Sequence, residues 1–281
     1  MLSYWTAEGP AGAFGASRRP GLIKPSSYFP KLAKGEIFVS NLIGKVRAAV
    51  DTYSMIDDSG KIAVCVSGGK DSIFLLWSLS QLQKYYPKKF TLAAITIDPC
   101  FNGKQSNFSA VEEFCASLNI DYKIKRTQLG DLIFKTRQES NPCSLCARMR
   151  RGMLHDMAKE LDCNKIALGH NLEDCVETFF MNLLNGGKIG CFSPKTYLSR
   201  KDLHMIRPLI FCEENKIAAF VTRNKLPIVE STCPANGNTQ RQATKELVLT
   251  LERQYPNLRH KIIGALQRAS IDGWGIKKLC P

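Results

Sequence analysis

The chain is 281 residues long, 44% hydrophobic and 23% charged, which suits one sizeable α/β domain with appendages and excludes a disordered or fibrous chain. No stretch of about eighteen consecutive apolar residues occurs, so no helical membrane span is expected, and no membrane is counted among the partners. The 39 Lys and Arg against 25 Asp and Glu leave a formal charge of +14, spread along the chain. That excess points to a polyanion, RNA or DNA before an anionic membrane surface, or else to a generic basic surface that aids solubility. The 11 cysteines are odd in number and follow no secretory signal, so they indicate a reducing, cytoplasmic compartment rather than a disulfide scaffold.

Residues 1–35 are broken by Gly9, Pro10, Gly12, Gly15, Pro20, Gly21, Pro25 and Pro30 and read as an irregular N-terminal extension. They are basic, but without an amphipathic helix they make a poor organellar transit peptide. Ile37–Tyr53 carries apolar residues at helical spacing, and Asp57-Asp58-Ser59-Gly60 is a turn. Lys61–Val66 is a short, continuously apolar strand of the kind buried on both faces. Ser67–Ser72 then opens a helix running to about Tyr85. Phe90–Ile97 is a strand, Ser109–Leu118 a helix and Tyr122–Lys125 a strand. Ala147–Leu161 is a helix with Met149, Met153, Met157 and Leu161 on one face.

Lys165–Leu168 is again a strand and Glu173–Leu184 a helix. Gly186–Pro208 is rich in loops, with room for a hairpin. Glu213–Asn224 is expected to be a helix, Pro227–Val229 a strand, and Gln240–Gln254 and Leu258–Ser270 closing helices before a tail over 271–281. Strands alternating with helices define an α/β fold, a doubly wound and mainly parallel sheet of about five strands. The helical additions at its ends make residues 36–270 one domain.

The segment Ser67-Gly68-Gly69-Lys70-Asp71-Ser72 stands at the carboxyl end of a buried strand, where open parallel sheets bind ligands. Gly68 and Gly69 let the backbone approach an anion, and the amides of the next helix point at it. Ser67 and Ser72 can donate hydroxyl hydrogen bonds, and Lys70 adds charge or turns to solvent. Asp71 beside phosphates makes sense with a cation between them, which implies Mg²⁺. The GxxxxGK[ST] spacing of a Walker A loop is absent.

Cys143-Ser144-Leu145-Cys146 is the only CxxC in the chain. Its readings are a redox disulfide, half of a zinc site lacking two further soft ligands, or part of a three-cysteine cluster site. Arg148, Arg150 and Arg151 follow directly, off the methionine face. They read as a holder of pyrophosphate or RNA backbone, or as a solvated basic face. Lys188, Arg207, Gln240 and Arg241 carry the same pair of readings.

SGGKDS resembles the PP-loop of the N-type ATP pyrophosphatases, whose fold is also described as adenine nucleotide alpha-hydrolase-like. That resemblance implies ATP adenylation chemistry and places Asp98, Gly169, His170 and Asp174 around the nucleotide. Over about Ile37–Ser270 the blocks MIDDSGKIAVCVSGGKDS, CSLCARMRRGML, KIALGHNLEDCVET, NLLNGGK, IRPLIFC and NTQRQ resemble the tRNA 2-thiocytidine synthetases. The resemblance implies an enzyme that forms AMP and pyrophosphate while converting an anticodon-loop cytidine, at position 32, to 2-thiocytidine. It implies ATP, Mg²⁺ and a 4Fe–4S cluster as cofactors, with Cys143, Cys146 and Cys233 as the cluster ligands. Cys212 is the alternative third ligand, because relatives often carry a second CxxC where this chain has Cys233 alone. The implied partners are tRNA, a sulfur donor such as a cysteine desulfurase, and a second copy of the chain in a homodimer. The alternatives are a related sulfurtransferase acting on uridine and a metal-stabilised RNA-binding protein without catalysis.

Overall fold

The computed structural model describes residues 36–137, 142–234 and 240–276, so the N-terminal extension and its targeting reading lie outside the described residues. Its strands are β1 (Gly60–Cys65), β2 (Phe90–Asp98), β3 (Asp121–Arg126), β4 (Lys165–Ala167), β5 (Lys195–Leu198) and β6 (Leu203–Ile206). Its main helices are α1 (Glu36–Thr52), α2 (Lys70–Gln83), α3 (Ser109–Ser117), the single turn α4 (Leu129–Asp131) and α5 (Pro142–Glu160). They continue with α6 (Leu172–Gly186), α7 (Glu214–Arg223), α8 (Gln240–Gln254) and α9 (Leu258–Arg268).

The sheet order is β3-β2-β1-β4-β6-β5, parallel except for β5, which pairs antiparallel with β6. Six strands stand where about five were expected: the loop-rich 186–208 stretch adds the two strands of the β5–β6 hairpin, and the short strand expected at 227–229 is absent. Successive side chains of a strand point to opposite faces. Ile62, Val64, Leu92 and Ala94 accordingly join one core with α1, α2, α3, α6, α7 and α9. Ala63, Cys65, Ala93, Ile95 and Ile166 join another, covered by Met157 and Ala158 of α5. Helix α2 is buried nearly all round, with Trp77 and Phe74 stacked 4.4 and 5.2 Å from Phe220 of α7.

Three expectations change. Helix α5 begins at Pro142, so Cys143 and Cys146 sit in its first turns rather than ahead of it. Its apolar face extends back to Leu145, which packs with Leu129 and Ile133 in a small third core. Residues 227–229 are no strand. They form an extended strap fastened to the phosphate loop by the Val229 amide, which donates to the Gly68 carbonyl at 3.0 Å.

Residues 271–276, assigned above to a tail, are docked. Trp274 is fully buried, its indole N–H donates to the Phe192 carbonyl at 2.9 Å, and its own carbonyl accepts from the Tyr53 hydroxyl. Trp274→Ala should therefore lower unfolding free energy by about 3–5 kcal/mol, read from the midpoint of chemical denaturation. A loss below about 1 kcal/mol would mean that this end is not anchored by its tryptophan.

Candidate active site

The chain leaves β1 for β2 on one side and meets β4 on the other, so the carboxyl ends of β1 and β4 open a crevice at the topological switch point. The phosphate loop closes on itself there. The Ser72 hydroxyl donates to the Gly69 carbonyl at 2.8 Å and accepts from the Ser67 amide at 3.1 Å and the Ser67 hydroxyl at 3.2 Å. Gly69 is the N-cap of α2 and supplies no side-chain cap, so the first-turn amides remain open to an anion.

Two glycines are fixed by packing. Gly68 has φ +87°, and a Cβ there would fall 2.7 Å from Val229 Cβ. A Cβ on Gly169 would fall 3.1 Å from the backbone of Asp71 and Ser72, so only glycine lets the β4 loop lie this close to α2.

Two adjoining cavities occupy the crevice. The first, of about 420 Å³, is lined by Ser67, Gly69, Asp71, Ser72, Gly169 and His170, with Cys65, Arg150, Arg151 and Arg207 closing it. The second, of about 400 Å³, is lined by Cys143, Cys146 and Cys233, with Asp98, Phe108, Arg150 and the strap residues Val229–Thr232. Ser67, Gly69, Ile97, Ala147 and Arg150 line both and form the common wall. The phosphate loop and the three cysteines therefore share one crevice.

Several candidates hold other posts. The Lys70 ammonium lies 3.0 Å from Asp71 and 2.9 Å from Glu214, and lines neither cavity. Burial opposes its charge, but those two carboxylates outweigh it and raise its pKa. Asp174 is half of a capping box. Its carboxylate accepts from the Asn171 amide while the Asn171 side chain accepts from the Asp174 amide. It also pairs with Arg241 of α8, and burial raises its pKa. Neither residue lines the phosphate-loop cavity; both brace the protein around it.

Asp98 lines the cysteine cavity instead of the phosphate-loop cavity. It is almost fully buried and accepts from the amides of Cys100 and Ser106, which orders the loop after β2. Arg150 and Arg151 line the crevice, whereas Arg148 is exposed outside it. Lys188 is exposed beyond the far end of α6, a helix of 15 residues and so about 22 Å long. Gln240 is the first residue of α8, and its side chain lies outside what is described.

Sequence reasoning missed Asn171 and Glu214. Asn171 Nδ2 donates to Asp71 Oδ1 at 3.1 Å, and Glu214 bridges Lys70 to Lys245. The Asn171-Leu172-Glu173-Asp174 capping signature was the available signal for the first; nothing local marks the second.

Arg207 is only 7% exposed and faces inward. Its Nε donates to His170 Nδ1 at 3.3 Å, Nη1 donates to the Ser193 carbonyl, and the guanidinium lies 4.9 Å over the Phe192 ring. Burial, followed by the charges of Arg207, Arg241 and Arg151, pushes the His170 imidazole down to about 3, so it is neutral at physiological pH.

Cys143 is exposed on α5, and Cys146 and Cys233 are half-buried. Burial raises the Cys146 thiol, with Arg150 acting against it. Cys212 is elsewhere, fully buried with its thiol 3.8 Å from the Leu42 carbonyl of α1, and burial pushes it up to about 12. The described cysteines are all free. Among the described residues no three His, Cys, Asp or Glu side chains form the close set that one metal ion needs, and no helix is long and apolar enough to cross a membrane.

An uncapped SGGKDS loop at the switch point of a mainly parallel sheet defines an ATP-binding protein of the PP-loop class, and the PP-loop domain family is matched over residues 41–251. The tRNA-cytidine(32) 2-sulfurtransferase of Dechloromonas aromatica is 38% identical over 247 residues, 86% of this chain and 83% of that protein. The protein of that name from Syntrophotalea carbinolica is 38% identical over 231 residues, 81% of this chain and 87% of that one. The solved structure of the U34-tRNA thiolase NcsA from Methanococcus maripaludis, with its 4Fe–4S cluster, superposes with a TM-score of 0.69. It is 25% identical, over 87% of this chain and 86% of that one. The chain belongs to the tRNA-cytidine(32) 2-sulfurtransferase family.

Proposed function

We propose that the chain is an ATP-dependent tRNA sulfurtransferase that converts cytidine 32 to 2-thiocytidine. The observation that carries this reading is the common wall between a phosphate-loop cavity and a cavity lined by Cys143, Cys146 and Cys233. In the first, the base's C2 carbonyl oxygen attacks the α-phosphate of ATP, a new P–O bond forms and pyrophosphate leaves. In the second step a sulfur nucleophile adds to C2, and AMP departs with the original oxygen and the electrons of the C–O bond. The loop amides would hold phosphate, the Ser67 and Ser72 hydroxyls, which donate within the loop, keep its shape, and Asp71 would supply the carboxylate for Mg²⁺.

Three free thiols facing one cavity, with the Arg150 guanidinium beside Cys146 to offset negative charge, suit a 4Fe–4S cluster. Cys143, Cys146 and Cys233 would hold such a cluster, which would supply the chemistry of sulfur delivery. Cys143 and Cys146, three residues apart on α5, share one helix face, and the strap brings Cys233 to it. Arg150 and Arg151 stand where pyrophosphate or the RNA backbone enters the crevice. The partners of this reading are tRNA, a sulfur donor such as a cysteine desulfurase, and a second copy of the chain in a homodimer. Free thiols and a cluster suit a reducing, cytoplasmic setting.

The fold alone is shared with a U34-tRNA thiolase, so uridine is the competing base; the higher identity to the cytidine enzymes favours cytidine. Nucleoside analysis of tRNA from cells lacking the protein should show loss of 2-thiocytidine. Retained 2-thiocytidine with lost 2-thiouridine would overturn the assignment of the base. The protein purified without oxygen should carry about four irons per chain, and stoichiometric zinc would overturn the cluster.

A further inference from the structure

His170 leaves the carboxyl end of β4 and lines the nucleotide cavity, and Arg207 leaves the end of β6 beside it. The guanidinium is held from several directions. Nη1 donates to the Ser193 carbonyl, Nη2 lies 3.0 Å from Met205 Sδ, and the plane rests on Phe192, whose ring is also 4.8 Å from that of His170. Thus anchored, Nε donates to His170 Nδ1 at 3.3 Å.

A guanidinium has donors and no acceptor, so Nδ1 of His170 must be the bare nitrogen and the ring's single proton must sit on Nε2. A second proton on Nδ1 would set N–H against N–H. The charged groups acting on the ring are Arg207 at the end of β6, Arg241 on α8 and Arg151 on α5, all cations. Each opposes an imidazolium.

We propose that Arg207 is a positioning residue that locks His170 as the neutral Nε2–H tautomer, making it a hydrogen-bond donor to the nucleotide rather than a base. The tautomer follows from the local geometry alone; its use in the reaction rests on the ATP reading above. The chemistry agrees. A carbonyl oxygen attacking phosphorus carries no proton to remove, so the adenylation step calls for donors to the departing pyrophosphate and not for a general base.

The chain has only 4 histidines, so nitrogen-15 histidine spectra of the full, anaerobically purified protein are resolvable, with His170 assigned by its loss in His170→Asn. The expected result is a bare Nδ1 and a protonated Nε2 that persist from about pH 5.5 to 8, where an ordinary imidazole titrates. Arg207→Met should restore titration in that range and lower kcat for AMP formation about tenfold, with KM for ATP within about twofold. Arg207→Lys, which keeps a donor, should recover part of kcat. A wild-type His170 that titrates normally, or carries its proton on Nδ1, overturns the proposal even if Arg207→Met does not fold. Unchanged kcat in a folded Arg207→Met overturns the role in catalysis. Wild-type protein with the locked tautomer but no ATP turnover would instead sink the ATP reading.

Discussion

Cys233→Ala should strip the protein of its iron, whereas Cys212→Ala should leave it intact. Wild-type protein is expected to hold about four irons per chain. Cys143→Ala, Cys146→Ala and Cys233→Ala should each fall to a small fraction of that and lose the visible absorbance and 2-thiocytidine formation together. The distinction between the two third-ligand candidates is one of place. Cys233 faces the same cavity as Cys143 and Cys146, carried there by a strap hydrogen-bonded to Gly68. Cys212 lies under α1 with its thiol on the Leu42 carbonyl, and burial holds it protonated. Its replacement removes a little core packing, about 1–2 kcal/mol of stability, and nothing that binds iron. Iron retained in Cys233→Ala, or lost in Cys212→Ala, would sink the assignment.

The second large effect is expected at Asp71. Asp71→Asn should reduce tRNA-dependent AMP formation by about 10²–10³, about 3–4 kcal/mol of transition-state stabilisation, with little change in the unfolding midpoint. The fold survives because asparagine keeps an oxygen to accept from Asn171 Nδ2, and Lys70 retains its bond to Glu214. What is lost is the negative charge facing the phosphate-loop cavity. Turnover within about twofold of wild type would show that no cation is held there.

The strands and most helices were legible because their cause is local. KIAVCV and FTLAAITI are apolar without a break, as strands buried on both faces must be, and the loop glycines mark the turn between strand and helix. The start of α5 was not legible, since CSLC reads as a metal motif and hides Leu145 as the first rung of the methionine face. Pro227–Val229 suggests a strand, yet the Val229 amide is taken by the carbonyl of Gly68, 161 positions earlier in the chain, which no short window reveals.

The candidate site shows the same division. Ser67, Asp71, Ser72, Gly169 and His170 converge as residues at adjacent strand ends should. Lys70, Asp98 and Asp174 instead bind neighbouring protein groups, and their partners come from elements far away in sequence or from loop amides. The charge of Arg207 suggests a contact to phosphate or RNA or a solvated basic face, but its burial among Ser193, Met205 and Phe192 turns that charge toward His170.

The single hydrogen bond from Val229 to Gly68 makes the cysteine-bearing strap and the phosphate loop one mechanical unit. The strap that lines the cysteine cavity also packs on Gly68, the residue whose left-handed turn shapes the loop. Any coupling carried by that bond is reciprocal: the factor by which filling one cavity changes affinity at the other is the factor returned.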